Sequence, residues 1–351
     1  MPRRELVDAP VILVIGAGAV GSFLGWTLAS AGEEVQLLRR RGPAGVRSEA
    51  LAVAGTAGPG ATVRVTTAGS ADALTRSPEI VLIAVKMPQL AGAISTAAAW
   101  PEATIVGVEN GVGADELLRG ARPAGGLIAG SLTTSVERTE GGSIRRLSRG
   151  GIVLAPVRPD VHLAIQRLAV AFVGGGLRAR ATPNAAAMRW SKLLINLLGN
   201  ASGAIVDLDP VAVYRDPGLF RLEREQLAEA LAVMAGQGLR PIRLFGADAR
   251  LLPLAARLPG PLVQPILSRV VAAGRGGKRP SLHLHLAGGT GDPSEVAWLN
   301  GAVAQAASAL GLPAPVNARL AELVDACNRD PERRAWFRGQ PDRLLEAIAG
   351  T

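Results

Sequence analysis

Residues 11–41 read VILVIGAGAVGSFLGWTLASAGEEVQLLRRR. The first five residues are all β-branched or leucine, a composition typical of a strand that is buried on both faces of a parallel sheet. A glycine-rich turn follows, then an apolar segment with helical spacing that ends at Gly32, and a second apolar run that begins at Val35. This order predicts a strand, a turn, a helix and a second strand, which is the β-α-β unit of a doubly wound sheet.

Periodic patterns divide the rest of the chain into two parts. Strand-like runs recur in the first part, at residues 79–85, 103–108, 126–129 and 151–155. After about residue 180 the patterns are helical, at residues 184–204, 218–238, 262–273, 293–311 and 315–328. The sequence therefore predicts an α/β protein: an N-terminal Rossmann domain with a doubly wound sheet (residues 1–181) and an all-helical C-terminal domain (residues 182–351).

The composition narrows the class of protein. The chain has 351 residues and is 48% hydrophobic and 19% charged, which provides for a large core and argues against disorder. The formal net charge of +9 suits an anionic ligand, but the basic residues are scattered and form no nucleic-acid-binding motif. We therefore expect a small-molecule substrate and no nucleic-acid partner.

Two features bear on the compartment. Cys327 is the only cysteine, so no internal disulfide can form, as is usual in a reducing cytoplasm. The segment from Val11 to Gly32 is uncharged and long enough for a membrane span, but its glycines favour a strand, a turn and a helix. We expect a cytoplasmic protein without a membrane partner, as a monomer or a homodimer.

The glycine-rich turn has the form G-x-G-x-x-G and stands between the first predicted strand and the first predicted helix. In this motif the first glycine makes the turn, the second admits the pyrophosphate and the third lets the helix pack against the strand. The helix N-terminus adds free N–H groups and a partial positive charge. The sequence therefore predicts dinucleotide contacts from Gly16, Ala17, Gly18, Ala19, Val20 and Gly21.

The end of the second predicted strand indicates which dinucleotide is bound. Proteins that bind NAD often carry Asp or Glu there for the ribose 2′-hydroxyl, whereas this chain has arginine at positions 39–41. Guanidinium groups suit a 2′-phosphate. The sequence predicts NADP(H) as the cofactor, with a solvated basic turn as the alternative interpretation.

A polar stripe stands out in the second half of the chain. Lys192, Asn196 and Asn200 are spaced i, i+4, i+8 in a segment that predicts one helix, so they share one face. Leucines flank the stripe. Exposed stripes are usually built from Glu, Lys and Arg, so two asparagines favour a binding site over a plain solvent-facing surface.

Further short motifs follow the glycine-rich turn in order along the chain. They are Val85-Lys86 with Gln89, Glu109-Asn110-Gly111-Val112-Gly113, the Lys192 segment, Ser294-Glu295-Val296 with Leu299-Asn300-Gly301, and Gly311 through Pro315 with Asn317. Together, over roughly residues 11–328, they resemble the ketopantoate reductase (2-dehydropantoate 2-reductase) family. The resemblance implies a Rossmann domain followed by a helical domain similar to the C-terminal domain of 6-phosphogluconate dehydrogenase.

The resemblance also implies residue roles. Lys192 would be the general acid that protonates the carbonyl oxygen as hydride arrives, and its charge would stabilise the developing alkoxide. Glu295 would hydrogen-bond the product hydroxyl and orient Lys192 or the substrate. Substrate contacts would come from Asn110, Asn196, Asn200 and Ser281. Cofactor contacts would come from Arg40 at the 2′-phosphate, and from Lys86 and Asn110 near the nicotinamide ribose in a cleft between the domains.

The implied reaction is the NADPH-dependent reduction of a 2-oxo acid to a 2-hydroxy acid, with 2-dehydropantoate to (R)-pantoate in pantothenate and coenzyme A synthesis as the leading case. A paralogous reductase of another 2-oxo acid is the nearest alternative. A non-catalytic NADP(H)-binding sensor is a second, although a sensor would be expected to lack Lys192 or Glu295.

One segment departs from the family pattern and leaves the choice of 2-oxo acid open. Where the family often reads S-M-x-x-D-(L/I), this chain reads Ser281-Leu282-His283-Leu284-His285-Leu286, and two extra residues stand near Gly288-Gly289. The two histidines, spaced i, i+2, would point to different faces of a helix, and no third ligand accompanies them. We therefore expect no metal site here.

Overall fold

The computed structural model describes residues 10–39, 45–55, 58–74, 76–122, 124–139, 141–260, 262–265, 267, 279–289 and 291–350. By their internal contacts the residues fall into two compact units. Unit 1 comprises Met1–Glu109 and Ala114–Ala185, and unit 2 comprises Asn110–Gly113 and Ala186–Thr351. The sequence pattern did not indicate that a four-residue segment of the first half belongs to unit 2. The boundary expected between residues 181 and 182 stays a prediction.

Unit 1 is built on one sheet. Its described strands are β1 (Val11–Ile15), β2 (Glu34–Leu38), β3 (Arg47–Gly55), β4 (Gly58–Ala68), β5 (Ile80–Ile83), β6 (Thr104–Gly107), β7 (Leu127–Leu132), β8 (Val136–Arg138), β9 (Ile144–Arg146), β10 (Ile152–Pro156) and β11 (Ala179–Ala181). They lie in the order β11-β10-β7-β6-β5-β1-β2-β4-β3-β9-β8. β1 is parallel to both β2 and β5, and β6 is parallel to β5 and β7. The predicted Rossmann-type sheet is thus confirmed.

Five strands of unit 1 were not predicted: β3, β4, β8, β9 and β11, of which β8, β9 and β11 are only three residues long. β3 pairs antiparallel with β4, and β8 pairs antiparallel with β9. Along β3 only Leu51 and Val53 are buried, and the residues beside them are alanines, which favour helix over strand. β3, β4, β8 and β9 extend the sheet beyond β2, where they contact the first helix, and β11 lies at the opposite edge.

The helices of unit 1 are α1 (Ala19–Ser30), α2 (Leu90–Ala97), α3 (Ala114–Ala121) and α4 (His162–Gly174). α1 is apolar around most of its circumference. This fits its surroundings, because it contacts β2, β4, α4, β8 and β9. Gly25 allows the close approach to β2, since a Cβ there would lie 2.7 Å from the Leu37 Cδ2 atom. α1 is therefore held from both the sheet and its curled edge.

Unit 2 is helical, as predicted, apart from a small hairpin of β12 (Arg243–Leu244) and β13 (Ala247–Asp248). Its described helices include α5 (Ala185–Leu197), α6 (Ala201–Val206), α7 (Pro210–Arg215), α8 (Pro217–Gly236), α9 (Leu252–Arg257), α10 (Ser281–Gly288), α11 (Asn300–Ala309), α12 (Pro315–Arg329), α13 (Pro331–Phe337) and α14 (Pro341–Ala349). Most of the helix predicted over 262–273 lies outside the described residues. Burial raises the pKa of the Cys327 thiol on α12 to about 11, which fits an inert core residue.

The single helix predicted over residues 184–204 is wrong, because the chain breaks between α5 and α6. Gly199, in the break, has a φ of +59°. The buried carboxylate of Glu223 on α8 holds the break: it accepts hydrogen bonds from the Gly199 amide at 2.7 Å and from the hydroxyls of Ser202 and Tyr214. Burial raises the pKa of Glu223, although these hydrogen bonds act in the opposite direction. Asn200 therefore does not continue the helical face that carries Lys192.

Candidate cofactor and substrate sites

The glycine-rich turn of unit 1 has the conformation that a dinucleotide loop requires. Gly16 has a φ of +98°, and a Cβ there would lie 2.7 Å from the Ala84 carbonyl oxygen. A Cβ on Gly21 would lie 2.1 Å from the Gly16 carbonyl oxygen. Gly18 differs, because nothing described lies within 4 Å of its Cβ position. The fold itself thus demands glycine at two positions, while Gly18 leaves open space for a ligand.

The residues after Gly18 form the first turn of α1. Gly18 is the N-cap, and its carbonyl accepts the first intrahelical hydrogen bond from Ser22 at 3.0 Å. The first turn, which includes Ala19 and Val20, contains no acidic residue. Its amide groups have no acceptor within the helix and can meet a phosphate. The loop residues therefore fit a dinucleotide pyrophosphate.

Two further residues predicted near the cofactor follow strands at the same sheet edge, because β1, β2 and β5 are parallel neighbours. Arg39 directly follows β2, and the Gly16 amide donates to the Leu38 carbonyl at 3.3 Å. Lys86 stands three residues after β5 and is exposed. Arg40 lies outside the described residues, so its contact with a 2′-phosphate stays a prediction, as does the position of Lys86 in a cleft.

The structure adds a carboxylate that the sequence around Arg39 does not contain. The Oε1 atom of Glu49, on β3, lies 2.8 Å from the Arg39 Nη2 atom. The two residues are ten positions apart and meet because β3 folds back beside β4. The sequence at the end of β2 thus contains no carboxylate, but the fold places the carboxylate of Glu49 beside Arg39.

In unit 2 the structure brings together several of the predicted substrate residues. Lys192 and Asn196 lie one turn apart on α5, and both are half-buried. The Asn196 Nδ2 atom lies 3.5 Å from the Oδ1 atom of Asn110, at the limit of a hydrogen bond. A segment distant in the chain thus contributes its asparagine beside the α5 polar face.

The segment 110–113 is fixed by the turn that carries Glu295. That residue begins a 3₁₀ turn, Glu295–Trp298, which Ser294 caps by accepting a hydrogen bond from the Val296 amide at 3.3 Å. The Val112 amide donates to the Trp298 carbonyl at 3.1 Å. Gly111 has a φ of +91°, and a Cβ there would lie 2.5 Å from the same oxygen. The Asn110 motif and the Glu295 motif are therefore parts of one structure.

Asn200 and Ser281, both predicted to contact substrate, are joined through the start of α10. Asn200 is only 3% exposed, and its Oδ1 atom accepts a hydrogen bond from the Leu282 amide at 3.3 Å. Ser281 is the first residue of α10 and is exposed. The structure thus shows Asn200 holding the helix that presents Ser281, and substrate contact by either residue stays a prediction.

The unusual histidines of α10 have separate surroundings. His283 is buried with its Nε2 atom 2.7 Å from the Asp207 Oδ1 atom, and Arg279 and Arg338 also pair with that carboxylate. Burial, with the nearby charge of Arg279, lowers the pKa of His283 in spite of Asp207. The Nε2 atom of His285 instead lies 2.9 Å from a backbone carbonyl. Within the described residues no three His, Cys, Asp or Glu side chains are grouped to hold a metal ion.

Two motif asparagines have a structural role. Asn300 and Asn317 are fully buried, and the Asn300 Nδ2 atom donates to the Oδ1 atom of Asn317 and to the Oε1 atom of Gln226, both at 3.0 Å. Glu229 accepts from the backbone and side-chain amides of Asn317. These hydrogen bonds join α8, α11 and α12, while the Asn300 Oδ1 atom is buried without a hydrogen-bond partner among the described residues.

Arg138, on β8, contacts the glycine-rich loop and was not among the residues predicted from the sequence. Its Nη2 atom donates to the Ala17 carbonyl at 2.8 Å and to the Ser22 hydroxyl at 2.9 Å. Its two partners in the loop and in α1 are 121 and 116 positions away, and no motif surrounds Arg138, so no local pattern indicated its role.

A membrane-spanning helix is not found in the described part of the chain, because no helix there combines sufficient length with an apolar sequence.

Comparisons with known proteins agree with these observations. The family described as ketopantoate reductase PanE/ApbA matches residues 12–159, and its C-terminal family matches residues 184–328. A 2-dehydropantoate 2-reductase of Halobacterium salinarum is 27% identical over 324 residues, which cover 91% of this chain and 99% of that protein. The structure of a PanE/ApbA family ketopantoate reductase from Ralstonia eutropha JMP134 is similar with a TM-score of 0.74 at 25% identity, covering 92% of this chain and 99% of that one.

A D-mandelate dehydrogenase solved with NADH and anilino(oxo)acetate shares the fold, with a TM-score of 0.73 at 18% identity over 91% of this chain and 98% of that one. The family match covers both units and includes the glycine-rich turn, the Asn110 segment, the Lys192 helix and the Glu295 turn. The chain therefore belongs to the ketopantoate reductase family and is an oxidoreductase.

Proposed function

We propose that the protein reduces a 2-oxo acid to a 2-hydroxy acid with NADPH, and that its substrate is 2-dehydropantoate, which yields (R)-pantoate for pantothenate and coenzyme A synthesis. One observation carries the proposal: in a chain of this family, Asn110 lies beside Asn196 on the helix that bears Lys192. Such an enzyme is expected in the cytoplasm, as a monomer or a homodimer.

Different observations support the binding of a nicotinamide cofactor and the choice of NADPH over NADH. A nicotinamide cofactor is supported by the glycine-rich turn and by the related fold of a dehydrogenase solved with NADH. The choice of NADPH is supported by Arg39 at the end of β2, followed in the sequence by Arg40. Glu49 neutralises part of this charge, and the Kd values of NADPH and NADH test the choice between them.

Unit 2 supplies the groups that handle the substrate. NADPH, when bound, supplies the hydride. Lys192 donates a proton from its Nζ atom to the carbonyl oxygen and stabilises the negative charge that develops there. Glu295 accepts a hydrogen bond from the product hydroxyl and orients Lys192. The substrate's remaining polar groups are bound by Asn110, Asn196, Asn200 and Ser281.

A substrate panel tests the proposal. NADPH oxidation is followed by absorbance with 2-dehydropantoate, pyruvate, 2-oxoisovalerate and benzoylformate, the last chosen because a mandelate dehydrogenase shares the fold. The highest kcat/KM is expected for 2-dehydropantoate. Turnover of another 2-oxo acid alone would replace the substrate but keep the reaction. Tight NADPH binding with no turnover of any 2-oxo acid would instead indicate the sensor.

A further inference from the structure

Arg138 reaches the glycine-rich loop from the far edge of the sheet. β8 is the last strand in the sheet order, yet β8 and β9 contact α1 because the edge of the sheet curls over that helix. The Arg138 guanidinium donates to the carbonyl of Ala17 and the hydroxyl of Ser22, and through Nη1 to the Gly142 carbonyl at 2.9 Å. Arg138 is thereby oriented by the loop and by its own hairpin.

Arg39 approaches the same loop from β2. The hydrogen bond from the Gly16 amide to the Leu38 carbonyl places Arg39 beside Gly16, and Arg138 is bound at the next loop residue, Ala17. The two guanidinium groups also influence one another: burial, and next the charge of Arg39, lower the pKa of Arg138. Two cations therefore flank the start of the loop.

Their charge is only partly balanced. Glu49 pairs with Arg39 and is the one carboxylate that the described contacts give to these two arginines. In that pairing the Nε atom of Arg39 is buried without an acceptor among the described residues. A buried donor without a partner is unfavourable, as is a second cation nearby, and an anion that accepts from both arginines would relieve both costs. The arrangement thus points to an anionic ligand.

The position at the end of β2 identifies the anion. In dinucleotide-binding folds the residue at the end of the second strand meets the adenosine ribose. A phosphate on that ribose offers several acceptor oxygens and about two negative charges, which suits two guanidinium groups. We propose that Arg138, together with Arg39, binds the 2′-phosphate of NADP(H), and that Glu49 is the partner of Arg39 when the phosphate is absent. This inference rests on the proposed use of NADPH.

Binding measurements on four variants, including the charge-conserving Arg138→Lys, test the inference. Arg138→Gln and Arg39→Gln remove one guanidinium each, and Arg145→Gln is the matched control. Arg145 belongs to the same hairpin and, like Arg138, is exposed, but its described ion pair is with Glu137 on the hairpin itself. The Kd values of NADPH and NADH are measured by fluorescence, with adenosine 2′,5′-bisphosphate and ADP as competitors.

Arg138→Gln and Arg39→Gln are each expected to bind NADPH and adenosine 2′,5′-bisphosphate about 10- to 100-fold more weakly, the usual effect of losing a charged hydrogen-bond donor. NADH and ADP affinities should change less than about threefold. The Arg145→Gln control should match the wild type, and Arg138→Lys should retain part of the preference because it keeps the charge.

An equal loss of NADPH and NADH affinity in Arg138→Gln would overturn the inference and assign Arg138 to loop support alone. Unchanged NADPH affinity, or a wild-type preference for NADH, would overturn it as well. Thermal denaturation without cofactor reports whether each variant is folded, so an equal loss of affinity is read only from a folded variant. If Arg138→Gln is unfolded, the preference of Arg138→Lys and Arg39→Gln for NADPH over NADH tests the inference instead. A protein with the expected 2′-phosphate preference but no turnover of any 2-oxo acid would refute the proposed function and leave this inference standing.

Discussion

The candidate sites of the two units are built from different parts of the polypeptide. The loop of unit 1 is one continuous run, residues 16–21, whose shape depends on backbone conformation and on the absence of side chains at Gly16 and Gly21. The group in unit 2 is assembled from side chains at distant positions: Asn110, the α5 pair and the turn at Glu295. A site made of backbone is broken by adding a carbon, whereas a site made of side chains is broken by removing a functional group.

The largest effect is expected from removing the proposed acid. Lys192→Ala should lower kcat by roughly 10²–10⁴-fold, because the developing alkoxide loses its proton donor and its cation. NADPH affinity should stay nearly unchanged, since the loop of unit 1 is intact. Steady-state kinetics with NADPH titration by fluorescence measure both quantities.

Lys192→Arg is the matched control for this variant, since it keeps the charge on a group that is a poor proton donor. It should remain far slower than the wild type. Near-normal kcat in Lys192→Ala would show that the proton comes from elsewhere. An equal collapse of NADPH binding would assign the lysine a structural role. The double variant with Glu295→Ala should be non-additive if the two residues act on the same oxygen.

Adding a methyl group at two glycines should separate shape from ligand contact in the loop. Gly21→Ala should lower the free energy of unfolding by about 1–3 kcal/mol or more, because its Cβ meets a backbone carbonyl that cannot move aside. Gly18→Ala should leave the melting temperature of the cofactor-free protein nearly unchanged, because its Cβ meets open space. Its NADPH affinity should still fall about tenfold if the pyrophosphate passes close to that position.

Thermal denaturation and NADPH titration of both glycine variants provide the measurement. Normal NADPH binding by Gly18→Ala would argue against a pyrophosphate close to that residue. A large loss of stability in Gly18→Ala would show that the position is constrained by the protein rather than by a ligand.

The smallest effect is a pH-dependent change in stability, expected from Glu223, which accepts a hydrogen bond at the break between α5 and α6. Burial raises the pKa of Glu223, so the folded protein holds this proton more tightly than the unfolded chain does. The contribution of Glu223 to stability is therefore present at low pH and decreases as the pH rises above 4.5, the ordinary value for this group. The melting temperature of the wild type should thus fall relative to that of Glu223→Gln as the pH is raised.

Melting curves of wild type and Glu223→Gln over acidic to neutral pH measure this difference. The control is Glu322→Gln, which changes an exposed carboxylate and should track the wild type at every pH. A difference between wild type and Glu223→Gln that is constant with pH, or that changes in the opposite direction, would show that the carboxylate is ionised in the folded protein.

The helix that carries Lys192 shows how far sequence reasoning reaches. The sequence predicted a helix at this segment and placed Lys192 and Asn196 on one face, which the structure confirms. It also extended the helix through Asn200, because the leucine-rich run favours helix and nothing local forbids it. The buried carboxylate of Glu223, 24 positions beyond Gly199, supplies the acceptor that makes the break favourable. Tertiary contacts here override local propensity.

The sequence by itself determined the strand, turn and helix at residues 11–30, the parallel sheet around them and the helical second half, because these depend on apolar periodicity and on glycine, both of which are local. Only the tertiary structure decided that Glu49 pairs with Arg39, that Arg138 binds the loop at Ala17, and that Asn110 lies beside Asn196. Each of these contacts joins side chains from separate segments and is set by how strands and helices pack, which no local pattern records.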